Sequence, residues 1–187
     1  MPLNTIPLPY GLRDVKITPY TDATRTVLAG SSIDLPNAQT FTFTETEDYE
    51  DLRGDDQLQT SHGKGPVANW DLENGGLSLE AYAAVAGGTV TTTGVTPNQI
   101  KTYRKGALDI RPFFKVEGQA ISDSGGDVHG VLYACRATGD IKAEMKDGTF
   151  MIPAISGKGF GSKIAAGGPP LNTLYDWVQN ETAVSIP

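Results

Sequence analysis

The sequence predicts a mainly β protein, a β-sandwich or barrel-like fold with one short helix, and three observations carry that expectation. Several segments alternate apolar and polar residues with a period of two, the pattern of half-buried strands. Glycine (22 residues) and proline (12 residues) are abundant and threonine is frequent, a turn-rich β composition. Only one segment carries helical start and stop residues, so about ten short strands must supply the core. A chain of 187 residues buries such a core without staples and fits one domain.

Residues 1–11 carry Pro2, Pro7 and Pro9, which exclude a helix and read as an extended N-terminal arm. From Leu12, the residues Arg13, Val15 and Ile17 alternate with Asp14, Lys16 and Thr18, and a short strand-like run follows from Thr24 to Leu28. Phe41 and Phe43 alternate with threonines in the next strand. Ser78 to Ala86 is the predicted helix, with Ser78 as its cap and Gly87-Gly88 as its stop. Ala107 to Glu117 reads as a strand with Leu108, Ile110, Phe114 and Val116 on one face, and Pro112 marks an edge or a bulge. Val131 to Ala137, Ile141 to Lys146 and Thr149 to Ile155 read as a meander turned at Thr138-Gly139-Asp140 and Asp147-Gly148. Gly157 to Lys163 has neither phosphate-loop nor dinucleotide spacing and reads as a loop. The predicted division is an arm (1–11), a β-domain (12–160) and a C-terminal segment (161–187).

A net charge of −7 excludes a strongly basic nucleic-acid binder. The first ten residues have no basic region and no continuous apolar run, so they are not read as a signal peptide, and no stretch approaches the roughly 18 to 20 apolar residues of a membrane helix. The single cysteine, Cys135, lies in a strand pattern and reads as a packed thiol. Gly126-Asp127-Val128-His129-Gly130 resembles the first metal-binding motif of calcineurin-like metallophosphoesterases. Such a site needs further histidines, and His62 and His129 are the only two here, so the run reads as a loop entering a strand. No catalytic set, cofactor motif or metal-ligand spacing emerges, and the chain is expected not to be an enzyme.

The most informative stretch is Glu45 to Asp56, which packs seven carboxylates into twelve residues. Charges this dense must be solvated, bind cations or face a partner. Calcium-loop spacings are missing from it.

Leu52-Arg53-Gly54-Asp55-Asp56, after a Glu-rich strand, resembles the Leu-x-Gly-Asp-Asp turn of major tail (tail tube) proteins of phages with long non-contractile tails. The order of later elements is similar: a strand at Pro66 to Leu72, a short helix ending in glycines, aromatic strands at Arg111 to Gly118, and a loop and strand from Ser124 to Cys135. The resemblance implies a virion protein, made in the host bacterial cytoplasm, that assembles with itself into stacked hexameric rings forming the conduit for DNA delivery. Its implied partners are tape-measure, tail terminator and tail tip proteins, and DNA would pass without specific binding, as a negative lumen favours. On that reading Glu45, Glu47, Asp48, Glu50 and Asp51 are candidates for lumen charge. Asp55, Asp56, Lys101, Arg104 and Lys105 are candidates for contacts between subunits or rings. The alternative is a β-sandwich module that binds carbohydrate or calcium.

Overall fold

The computed structural model describes residues 7–76, 78–164 and 168–187. The chain is mainly β, with antiparallel pairing and one short helix, as the sequence predicts. Its elements are β1 (Pro9–Pro19), β2 (Ile33–Asp34), β3 (Ala38–Gly54), β4 (Gln57–Asn74), α1 (Leu79–Ala86), β5 (Thr89–Thr93), β6 (Ile100–Arg104), β7 (Phe114–Ser122), β8 (Asp127–Lys142), β9 (Ala154–Phe160) and β10 (Tyr175–Asn180). The main sheet runs β2-β1-β7-β8-β9-β4-β3, with β10 also on β8, and β5-β6 forms a separate hairpin.

The long strand β8 makes the sheet fold over. Its first half, Asp127 to Leu132, lies between β7 and β10, while its second half, from Ala134, carries β9 on the same edge. One strand therefore serves two layers. The sheet curls until β3 crosses the β7-β8-β10 layer: a Cβ on Gly118 would lie 2.6 Å from Phe41, and one on Gly130 3.2 Å from Phe43. Between the layers sit Val15, Ile17, Trp70, Leu72, Phe114, Val116, Leu132 and Cys135. Trp70 meets Phe114 edge-on at 5.5 Å.

The helix forms where its caps say it should. The Ser78 hydroxyl accepts the Ala81 N–H at 3.3 Å, and Gly87, at φ 77°, ends the helix by donating to the Ala83 carbonyl at 2.9 Å. Ala81, Ala84 and Val85 bury its inner face in the core.

Several expectations are corrected. Residues 1–6 of the predicted arm lie outside the described residues, and Pro9 to Gly11 already belong to β1. Thr24 to Leu28 is a loop, because the Asp22 carboxylate accepts the N–H groups of Thr26 and Val27 and so holds a turn. Ala107 to Phe113 is not strand. Asp109 turns the chain by accepting the Gly106 N–H at 2.6 Å, and Leu108 and Ile110 point into solvent. Pro112, which has no N–H, delays the strand to Phe114. Thr138-Gly139-Asp140 does not turn the chain but is absorbed in β8, where the register with β9 shifts between Ala137 and Ile141. The reversal comes instead in the 143–153 loop, around Asp147-Gly148, where residues 143–150 are exposed.

Of the glycine run only Gly161 to Lys163 is loop, as expected; Gly157 and Gly159 lie inside β9, between β8 and β4. A Cβ at Gly157 would fall 2.2 Å from the Arg136 carbonyl oxygen and 2.6 Å from the Trp70 ring. Glycine is required there by close approach, not by a turn. Gly157→Ala is expected to lower unfolding free energy by about 1–3 kcal/mol in urea titration. Gly30→Ala, where a Cβ meets nothing within 4 Å, should leave it unchanged.

Candidate functional site

The strands β3 and β4 form a long hairpin whose outer part extends past the buried body. Its turn has Asp55 at φ 52° and Asp56 at φ 62°, the left-handed pair of a two-residue hairpin, with Gly54 opposite Gln57. Toward the root, Phe41 and Phe43 pack inward and face Leu72 and Trp70 across the ladder. Beyond them the burial ends: no residue from 44 to 67 is buried. From Glu45 to the tip, ten residues of extended chain span roughly 33 Å. The result is a two-stranded ribbon, its large apolar side chains Tyr49, Leu52 and Leu58 all more than half exposed.

The alternation of β3 divides the lumen-charge candidates. Glu45, Glu47 and Asp51 share the face of Phe41 and Phe43, with Tyr49 among them, while Asp48 and Glu50 lie on the opposite face with Leu52. No single face of the ribbon therefore presents all five. Most of these carboxylates have neutral donors. Glu47 accepts the Tyr49 hydroxyl at 2.7 Å and the Gly65 N–H at 3.2 Å, and Asp51 accepts the Ser61 hydroxyl at 2.8 Å. Glu45 takes the Tyr175 hydroxyl and thereby pushes that phenol's pKa up. Glu50 faces Lys64 at 3.4 Å in an exposed pair that contributes little. Asp55 and Asp56 stand at the tip, exposed.

The basic candidates lie on a different element and are already engaged. Lys101 of β6 pairs with Glu80 of α1 at 2.5 Å. Lys105 donates to the Ala86 carbonyl at 2.6 Å and to the Asp109 carbonyl at 2.8 Å, tying the C-terminal end of α1 to the 106–109 turn. Arg104 ends β6 exposed, opposite Thr89.

Asp127 and His129 form a structural hub that the sequence shows only as a motif. Asp127 is completely buried and accepts four bonds: from Gln119 at 2.5 Å, Asn180 at 2.8 Å, the Val184 N–H at 2.9 Å and His129 Nε2 at 2.9 Å. The other ring nitrogen of His129 lies 3.7 Å from Glu117, which holds Lys115 at 2.7 Å. Lys115, Glu117, His129 and Asp127 thus alternate in charge type across β7 and β8. Burial alone would raise the Asp127 pKa, but the bonds from Gln119, Val184, Asn180 and His129 outweigh it and bring it down to about 2. These atoms fasten the C-terminal segment to the sheet. Ile186 follows into the core at 2% exposure, its carbonyl accepting Lys16 at 2.5 Å. Among the described residues no group of three or more His, Cys, Asp or Glu side chains is placed to hold a metal ion.

No family model matches this chain, and no curated protein matches it. The function therefore rests on what the chain itself displays.

One further feature, an aromatic cleft, was not legible in the sequence. An open cleft of about 380 Å³ runs between β3 and the facing layer, lined by Leu12, Phe41, Phe43, Gly118, Gly130 and Trp177. Trp177 is 62% exposed and stacks on Phe43 at 4.9 Å. Cys135 is fully buried, and burial pushes its thiol pKa up, so it stays protonated. No helix among the described residues is long and apolar enough to cross a membrane.

The hub sets a pH dependence. A carboxylate whose pKa is depressed on folding, here from 3.8 to about 2, stabilises above pH 3.8 and loses that contribution as pH falls through about 2. Asp127→Ala is expected to cost about 3 kcal/mol at neutral pH, since it strands four donors, two of them on the buried side chains of Gln119 and His129. The difference between variant and wild type should shrink steadily from pH 4 to pH 2 in denaturant titrations.

Proposed function

We propose that this protein is a structural subunit that assembles with itself into rings and tubes, of the kind formed by phage tail tube proteins, and that it has no catalytic role. The observation that carries the reading is the bare ribbon from residue 44 to residue 67. A two-stranded ribbon alone in water is marginally stable, and one that exposes Tyr49, Leu52 and Leu58 gains by packing on another molecule. A heterologous contact of this kind, in which a projection of one copy meets a different surface of the next, propagates into rings or filaments.

Other exposed features support the same reading. Phe150 is 93% exposed and Met145 86% on the 143–153 loop, while Leu108 is 94% exposed on the turn before β7. Such side chains are a burden on an isolated monomer and are typical of the cores of interfaces. In a virion tube the net charge of −7 on each copy keeps a lumen from retaining DNA phosphates. The tape-measure, terminator and tip partners implied by the resemblance belong to this proposal.

A carbohydrate-binding role is the second reading, and exposed Trp177 beside the aromatic cleft favours it. One face of that indole is already covered by Phe43, which leaves a single open stacking surface.

Asp55→Lys combined with Asp56→Lys should abolish rings and tubes in negative-stain images of concentrated protein. The far-UV spectrum should stay unchanged and the melting temperature should move by no more than a few degrees, because both residues are exposed at a turn. Tubes of normal length from this variant would remove the tip from the interface. A wild type that stays monomeric and is stabilised by added oligosaccharide would replace the reading with the second one.

A further inference from the structure

We infer that Arg25, Arg136 and Lys158 form the receptor for the Asp55-Asp56 tip of a second copy of this chain, an inference that rests on the assembly proposed above. Phe113 lies between two guanidinium groups. Arg25 sits 4.8 Å from its ring centre and Arg136 5.1 Å, and Arg25 also lies 5.4 Å from the ring of Phe160. Phe113 and Phe160 meet edge-to-face at 5.6 Å. Lys158 is the cross-strand neighbour of Arg136, so its ammonium shares that surface.

These cations lack what buried or clustered cations normally have. None of the three forms an ion pair with a described carboxylate. Arg25 Nη1 is buried and has no hydrogen-bond partner among the described residues. Asp22, the nearest acid in sequence, is engaged by the Thr26 and Val27 N–H groups of its own turn. That turn holds Arg25 at φ 64°, a left-handed conformation that non-glycine residues rarely adopt. A chain with 22 acids and 15 bases thus keeps three cations together beside two aromatic rings, with none of its acids on them. Guanidinium groups fixed by stacking present their outward N–H groups as a fork that fits carboxylates.

The tip supplies the matching carboxylates, and the geometry excludes its own receptor. Lys158 lies opposite Asn69, and Asn69 opposite Thr44, so the cluster sits beside the root of the ribbon. Eleven residues of extended chain separate Thr44 from Asp55, roughly 35 Å. The tip therefore reaches such a cluster only on another copy. Asp55 and Asp56 are adjacent, exposed and held by positive φ values at the apex of the ribbon, so two carboxylates arrive together.

Charge exchange tests the pairing. One variant carries Asp55→Arg and Asp56→Arg, the other Arg136→Glu and Lys158→Glu. Each alone should raise the protein concentration needed for assembly by about ten-fold or more, read by sedimentation and negative stain. An equimolar mixture should restore assembly to near the wild-type concentration, because each reversed tip then meets a reversed receptor. Lys158→Glu alone, on an exposed side chain that leaves the Arg136–Phe113 contact intact, should show the same direction of effect if the double variant melts early. Normal assembly of the receptor variants, or no rescue on mixing, overturns the receptor while the assembly reading stands. A wild type that never assembles overturns both.

Discussion

Closure of the sheet depends on aromatic rings laid against backbone that has no Cβ. Phe41 rests on Gly118, at a distance that a methyl group would violate, and Phe43 on Gly130, where a methyl group would fit only if the ring gave way. Sheets that pack face to face through side chains sit about 10 Å apart. Here the ring replaces two facing side chains with one, so strands of the two layers come close and the curl tightens. Everything outside the body follows from this closure. It fixes where β3 and β4 leave the core, hence the direction in which the ribbon projects, and it leaves the cleft between Phe43 and Leu12 partly open.

Elements with local chemistry were legible in the sequence, and elements set by distant contacts were not. The helix announced itself through Ser78 and Gly87, whose hydrogen bonds close within four residues. The hairpin turn at Asp55-Asp56 was expected from the resemblance alone. Gly157 and Gly159 carried the opposite message: glycine in a window reads as loop, and only the Trp70 ring, 87 positions before Gly157, turns it into a strand requirement. Leu108 and Ile110 alternate as core residues do, yet Asp109 and Pro112 give that stretch a turn and an unpaired start. Of the site, the acidic ribbon was visible as composition. The Arg25 cluster was not, since its members are spread over 134 positions and its meaning lies in the carboxylates it lacks.

Two kinds of electrostatics coexist in the molecule. At Asp127 a single carboxylate is dry, saturated by four donors and committed to holding the C-terminal segment. On the ribbon, carboxylates are wet and screened, and their effect is collective and sensitive to salt. The first kind fixes one conformation and the second biases which molecules approach.

The position of β3 and β4 in the chain bears on biosynthesis. Strand β1 waits for β7, which begins at Phe114, and β4 waits for β9, which begins at Ala154. Until those residues leave the ribosome, the β3–β4 hairpin forms with Phe41, Phe43 and Trp70 uncovered, in a topology dominated by distant pairings and therefore slow to close. Such half-made hairpins on neighbouring ribosomes are prone to stick together. The carboxylates immediately beyond Phe43 act there as gatekeepers, repelling one nascent ribbon from another. The same charges that line the finished ribbon thus guard the chain during the interval when its aromatic anchors have no glycine to rest on.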